Sequence, residues 1–223
     1  SYFQSTHTAR GNILTRSLRK KSSTGIYHIM LRGINGQPIF EENEDRHRLL
    51  STFLRYKKVC EFQLFAYCLM ENHIHLLIKE KDETISQIVK RISASYVYWY
   101  NRKYERSGYL FQGRFLSEVV ENDSYFLTVL RYIHQNPVRA NLQKRVEDYP
   151  WTSYHCYLQQ NNNSRGRFGV GSHQQDRTTP DSEITTNKEY VLQYFSQNPE
   201  DALNQFVAFI NQYREEDLLW LPS

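Results

Sequence analysis

The chain has 223 residues, 39% of them hydrophobic and 14% aromatic, with 17 tyrosines, so it has material for a real core and is not a disordered polymer. Its formal net charge of +4 hides an uneven distribution, because residues 1–160 carry 23 Lys and Arg against 15 Asp and Glu whereas residues 181–223 carry 2 against 8. The sequence has neither an apolar run of membrane-spanning length nor a secretory apolar core, and Cys60, Cys68 and Cys156 lack the paired spacing of a disulfide framework or zinc knuckle, which points to a cytoplasmic protein with reduced thiols.

At the start, Ser1-Tyr2-Phe3-Gln4-Ser5 reads as the remnant of a cleaved tag, followed to residue 24 by a basic arm. Residues 1–40 hold Arg10, Arg16, Arg19, Lys20, Lys21 and Arg32 with no acid at all, a distribution suited to phosphates. The pattern then predicts a strand over 25–33, a helix over 43–60, a strand over 62–69 and its antiparallel partner over 73–80. His28 in the first strand either meets a phosphate-bearing partner or fills a polar edge. In the strand over 73–80, His73, His75 and Leu77 share one face and Ile74, Leu76 and Ile78 the other. An isolated His-x-His is explained by a half-buried strand with two polar positions, but two imidazoles aimed at one point also suit a metal ion.

A long helix is predicted over 84–104. Its second half, with the residues as far as 114, is basic and carries Tyr96, Tyr98, Trp99, Tyr100 and Tyr104 among Arg102, Lys103 and Arg114. Cations neutralise phosphates and rings stack on unpaired bases, although Ile85, Ile88, Val89, Ile92 and Tyr96 fall at helical spacing, which assigns several of these rings to the core. A strand over 110–120 follows, in which Gly113 marks a bulge or a close backbone approach. The next helix is predicted from Ser124, with caps in Asn122-Asp123-Ser124, to Asn136, where Pro137 stops it. Phe126, Val129, Leu130 and Ile133 form its apolar stripe. Tyr132 and Asn136, four apart, share another face and present a phenol and an amide together. Asn136 precedes proline and is expected in a frayed last turn, where its side-chain oxygen is available as a third metal ligand. His134 points nearly opposite to Tyr132, in a structural role or facing a nucleic-acid partner.

The order β-α-β-β-α-β-α predicts an α+β fold: a ferredoxin-like, RRM-like palm with an antiparallel sheet, helices on one face and one further helix. Residues 159–182 read as a polar linker. Residues 183–223 form an acidic helical tail, with two amphipathic helices divided near Asn198-Pro199, packing on the palm or on a partner. A regulatory role in covering the basic groove is a hypothesis for that tail.

Five blocks give the chain a wider likeness. They are Tyr27-His28-Ile29-Met30-Leu31-Arg32-Gly33, Met70-Glu71-Asn72-His73-Ile74-His75, Gly108-Tyr109-Leu110-Phe111-Gln112-Gly113-Arg114-Phe115, Tyr132-Ile133-His134-Gln135-Asn136-Pro137-Val138-Arg139-Ala140 and Tyr149-Pro150-Trp151-Thr152-Ser153-Tyr154. In order and spacing they resemble the REP-associated tyrosine transposases, a group of the HUH single-tyrosine transposases, over residues 25–158. Glu71 departs from the proline that many relatives carry. The resemblance implies a catalytic palm that cleaves and rejoins single-stranded DNA, with Tyr132 as nucleophile and a 5′-phosphotyrosine intermediate. It also implies Mg²⁺ or Mn²⁺ on His73, His75 and Asn136, and hairpins from repeated extragenic palindromes as partner. It leaves monomer and homodimer open, and a bacterial, nucleoid-associated location follows from it. The candidate DNA contacts are Arg16, Arg19, Lys20, Lys21, Arg32, Arg102, Lys103, Arg114 and Arg139. Two other functions fit the pattern: a non-catalytic nucleic-acid-binding module with an RRM-like sheet, and a metal-dependent nuclease that uses water.

Overall fold

The computed structural model describes residues 19–159 and 186–212, so Arg16, nearly all of the linker and the end of the acidic tail lie outside the described residues. The apolar run Ile26–Arg32 forms β1. Helix α1, Asn43–Cys60, opens on a reciprocal cap between Glu42 and Asp45 and closes at Glu61, whose φ of 52° is left-handed. Strands β2, Gln63–Leu69, and β3, His73–Lys79, form a hairpin. Thr84 and Gln87 cap helix α2, Ile85–Lys103, in the same reciprocal way. The short β4, Leu116–Val119, precedes α3, Asp123–Arg139, where the Asn122 side chain accepts the Tyr125 N–H at 2.8 Å.

The four strands pair antiparallel in the order β2-β3-β1-β4, which is the ferredoxin-like arrangement. Helices α1 and α2 pack together, and α2 covers the sheet face that carries Leu31. Helix α3 packs on β2 and β3 against the opposite face, where His28 and His75 stand. The core between these layers buries Ile29, Phe53, Phe65, Leu77, Tyr96 and Phe126, each contributing on the order of 2 kcal/mol of transfer free energy. The outer edge of β2 is covered by chain that follows α3. Leu69 N–H donates to the Trp151 carbonyl at 2.9 Å and Ser153 N–H to the Tyr67 carbonyl at 3.0 Å, which satisfies backbone groups that an open edge would leave for another strand.

Two sequence expectations change. The strand over 110–120 is broken: only Leu116–Val119 pairs as β4, while Phe111 makes an isolated bridge to Gly33. Gly113, with φ of 56°, turns the chain out of the strand between them. Nor does Pro137 stop its helix, which runs on to Arg139. Proline removes one donor, and the following amides close the turn on carbonyls behind it: Ala140 N–H donates to Asn136 and Leu142 N–H to Pro137, both at 2.9 Å. Asn136 is therefore a buried residue inside the helix and not part of a frayed end.

Beyond the palm come the short α4, Tyr154–Leu158, then α5, Lys188–Leu192, and α6, Pro199–Ile210. Pro199 sits in the first turn of α6, and Asn198 caps it by accepting the N–H groups of Glu200 and Asp201. Phe206 of α6 is fully buried, stacked on Tyr157 with centroids 4.3 Å apart and edge-on to His134. Gln135 Nε2 donates to the Ile210 carbonyl. The described part of the tail thus packs on α3.

Candidate active site

Strand register and helix period bring Tyr132, His73, His75 and Asn136 together. In β1 and β3, Met30 pairs with His75 and Arg32 with His73, so this face of the sheet carries both imidazoles and His28 two residues along. Tyr132 descends onto it from α3. Its ring centroid lies 5.3 Å from that of His75 and 5.7 Å from that of His28, and the His73 and His75 rings are 4.9 Å apart. Asn136, one turn on, donates through Nδ2 to the Tyr132 carbonyl at 3.3 Å and also acts on the His73 ring and the Tyr132 phenol.

The surrounding hydrogen bonds favour one tautomer for each imidazole. Asn72 Nδ2 donates to the Gly36 carbonyl at 3.2 Å, which turns its Oδ1 toward His73 Nδ1 at 2.7 Å. An amide oxygen only accepts, so His73 carries its proton on Nδ1 and leaves a lone pair on Nε2. His75 Nδ1 lies 3.0 Å from His28 Nε2, and His28 Nδ1 lies 3.7 Å from a Glu118 carboxylate oxygen. The carboxylate favours a proton on His28 Nδ1, which makes His28 Nε2 the acceptor from His75 Nδ1–H and frees His75 Nε2 in its turn. Glu118 is held in place by the Tyr125 hydroxyl at 2.8 Å, and its hydrogen bonding to His28 lowers its pKa. Glu118 and His28 were not recognised together from sequence. Their only signal is an acid and a histidine in separate strands, and the pairing His28↔Glu118 that joins them belongs to sheet register.

Burial lowers the pKa of His73 and takes that of His75 well below the ordinary imidazole value, so both imidazoles are neutral near pH 7. Among the described residues no group of three His, Cys, Asp or Glu is arranged to hold a metal ion. The donor set that fits one is two imidazole Nε2 atoms with the Asn136 amide oxygen, a mixed nitrogen and oxygen set that several divalent ions accept. Tyr132 is only 3% exposed. Burial raises its pKa, while Asn136 and the positive charge of Arg139 act to lower it. The Arg139 guanidinium lies over the ring, 5.2 Å from its centroid, and its Nη2 is buried with no hydrogen-bond partner. An unsatisfied cationic donor beside a phenol and two imidazoles suits an incoming phosphate.

Residues 21–136 match the model of the family described as IS200-like transposases. The chain belongs to this family. It is 30% identical over 115 residues to a Haemophilus influenzae protein described as a REP-associated tyrosine transposase, a match covering 45% of this chain and 65% of that relative's length. It is 22% identical over 137 residues to the REP-associated tyrosine transposase of Escherichia coli, covering 60% of this chain and 78% of that one. Among solved structures, a REP-associated tyrosine transposase bound to a REP hairpin superposes with a TM-score of 0.56 at 18% identity, over 65% of this chain and 86% of that one, which shows a shared fold.

The other candidate residues of this IS200-like chain are spread over several settings. Arg19, Arg32 and Arg114 line one cleft on the α2 face. Lys20 and Lys21 are exposed just before β1, and Arg102 is exposed on α2. Lys103 is half-buried in an ion-pair network with Glu42, Glu44 and Asp45, at 3.4, 2.7 and 2.8 Å, and its charge is spent inside the protein. The rival tyrosines have structural partners: Tyr96 donates to the Ile39 carbonyl, Tyr100 to Glu41 and Tyr104 to Asp45, while Tyr98 is exposed. His134 is fully buried, with Nδ1–H donating to Leu130 and Nε2 accepting from Ser153, so its role is structural. No helix among the described residues is long and apolar enough to cross a membrane.

Proposed function

We propose that this protein is a transposase of REP type that cleaves and rejoins single-stranded DNA beside a hairpin, with Tyr132 as the nucleophile. The observation that carries the reading is the convergence of the Tyr132 phenol, the His73 and His75 rings and the Asn136 amide at one point between α3 and the sheet in a chain of this family. The Tyr132 oxygen forms a bond to the scissile phosphorus and the bond from phosphorus to the 3′ oxygen breaks. The phenol gives up a proton and the leaving 3′ oxygen takes one up, so the products are a 5′-phosphotyrosine and a 3′-hydroxyl. One phosphoester replaces another, and attack by a 3′-hydroxyl on the phosphotyrosine rejoins DNA without a nucleotide cofactor.

His73 and His75, through Nε2, and Asn136, through its amide oxygen, would hold a divalent ion, Mg²⁺ or Mn²⁺. Such an ion supplies stabilisation of charge on the phosphate oxygens. Arg139, whose Nη2 is unpartnered beside the Tyr132 ring, is placed to meet the same phosphate. Glu118 and His28 keep His75 in the tautomer that presents Nε2. The substrate is an imperfect hairpin from repeated extragenic palindromes, which places the protein's work at the nucleoid.

The test is a denaturing gel of full-length protein with Mn²⁺ and labelled single-stranded hairpins taken from repeats beside its own gene. A slow covalent band that is lost in Tyr132→Phe and in His73→Ala supports the mechanism. Cleavage that survives Tyr132→Phe without an adduct replaces it with hydrolysis by water, and binding without cleavage leaves a non-catalytic DNA-binding protein.

A further inference from the structure

A cleft of about 320 Å³ opens on the sheet face opposite Tyr132, between α2 and the segment that leads into β4. Its apolar part is made by Leu31 of β1, Val89 of α2, Phe111 and Phe115. The two phenylalanines are brought there by the break that overturned the predicted strand: Phe111 bridges to Gly33, Gln112 N–H donates to the Arg32 carbonyl at 2.8 Å, and Gly113 turns the chain back. Around this floor stand three cations, Arg19, Lys90 and Arg114, whereas Arg32, next to Leu31 on β1, directs its charge to His73 on the other face; among the described residues no carboxylate lines the cleft.

The cationic rim is built into the wall. Arg19 donates to the Phe115 carbonyl at 2.9 Å and to Ser86 Oγ at 3.1 Å, and its guanidinium lies 3.6 Å from the Phe115 ring centroid. Burial, and then the nearby charge of Arg114, act against ionisation of Arg19. Like charges gathered at an apolar floor are costly alone and are relieved by an anion. An apolar slot with a polyvalent positive rim has the chemistry of one ligand class in particular: an unpaired nucleotide, whose base is flat and weakly polar and whose phosphate is charged. The volume lies at the small end of ligand pockets, enough for a single nucleotide and too small for a duplex.

We propose that this cleft captures one unpaired nucleotide of the single-stranded DNA flanking the hairpin, with its base against Leu31, Val89 and Phe115 and its phosphate on the Arg19 and Arg114 side. The proposal rests on the DNA-processing reading above and adds to it a second point of grip. Arg32 borders the cleft and its strand position pairs with His73, so a strand leaving the tyrosine site reaches the cleft by crossing the end of β1. DNA held on both sides of the sheet fixes the distance along the strand between the gripped base and the scissile phosphate.

The experiment uses full-length protein and a DNA hairpin with single-stranded tails carrying 5-iododeoxyuridine at one position at a time, irradiated and mapped by peptide mass spectrometry. One or two tail positions are expected to crosslink to Phe111 or Phe115. Ser93→Trp, which fills the cleft from α2, should remove those crosslinks and weaken binding of the tailed hairpin about tenfold, while binding of a tailless hairpin and the melting temperature hold. Lys90→Glu, which reverses an exposed rim charge and leaves the core alone, should weaken tailed binding in the same direction. Crosslinks confined to the Tyr132 face, or tailed binding unchanged in both variants, overturn the cleft while the transposase reading stands. Equal protection of the crosslink by uridine RNA and by thymidine DNA overturns the assignment to DNA. Wild-type protein that binds no hairpin in any form overturns the DNA-processing reading itself, and the cleft proposal with it.

Discussion

His28→Ala tests whether the hydrogen-bonded chain from the exposed Glu118 to the buried His75 holds that imidazole in place. The substitution takes away the acceptor that lies 3.0 Å from His75 Nδ1, in a position where His75 is only 2% exposed. A buried N–H left without a partner costs about 1–3 kcal/mol, and part of that is recovered if the imidazole turns or changes tautomer, either of which spoils Nε2 as a donor to a metal. A loss of about 1.4–2.8 kcal/mol in ion affinity corresponds to about 10–100-fold, the range found when outer partners of metal-bound histidines are removed. The assay is titration of DNA-free protein with Mn²⁺, reading the free ion by electron paramagnetic resonance, with melting temperature as a control on folding. His28→Gln, whose side-chain oxygen can accept the same proton, should recover most of the affinity. Glu118→Gln should cost less than His28→Ala, and His73→Ala should abolish binding. Wild-type affinity in a folded His28→Ala protein would refute the argument, because it would mean that His75 needs no help to present Nε2.

Three further outcomes follow from packing and charge. Lys103→Ala should cost about 1–3 kcal/mol in urea unfolding, because Asp45 is fully buried and loses its cation; the same variant should leave the affinity for hairpin DNA unchanged, and a selective loss of DNA binding would return Lys103 to the DNA surface. Burial holds His134 down to about 3 in the folded protein, against an ordinary value of 6.5, so the unfolded chain takes up a proton first as the pH falls. Stability from this group is present above about pH 6.5 and is lost toward pH 3, at up to about 1.4 kcal/mol per unit; urea unfolding at pH 7 and pH 5.5 should show a shallower fall in His134→Gln than in wild type. Phe206→Ala should destabilise by about 3–5 kcal/mol in the same assay, since its ring is fully buried against Tyr157 and His134, and a loss under 1 kcal/mol would mean that α6 is not part of the cooperative unit.

What could be read from the sequence was whatever a single element encodes. The period of two in β3 put His73 and His75 on one face, and the period of 3.6 in α3 put Tyr132 with Asn136, so the centre of the candidate site was legible before any contact was known. Helix α1 begins and ends where its pattern indicated, because its caps are local. The misreadings share a cause. Pro137 was judged as a helix stop that frays the residue before it, whereas the bonds that carry the helix past it come from Ala140 and Leu142 downstream. The strand over 110–120 was judged by composition, which cannot show that Gly113 adopts a positive φ. His28 and Glu118 lie 90 residues apart in the chain and meet only through the register of β1 with β4, as Lys103 meets Asp45 only through the packing of α1 on α2.

In the proposed mechanism, the tail bears on how a bound end of DNA would be handed over. Helix α3 is gripped from the sheet side through Tyr132 and Phe126 and from behind through His134, Gln135 and Phe206. A rod clamped along two sides makes a poor lever. If the nucleophile stays where the first reaction left it, the exchange of strands has to be carried out by the DNA: the old 3′ end must leave and a new one must arrive at a stationary phosphotyrosine. On that view the helix serves as an anvil, and choreography belongs to the hairpin and to whatever holds its tails.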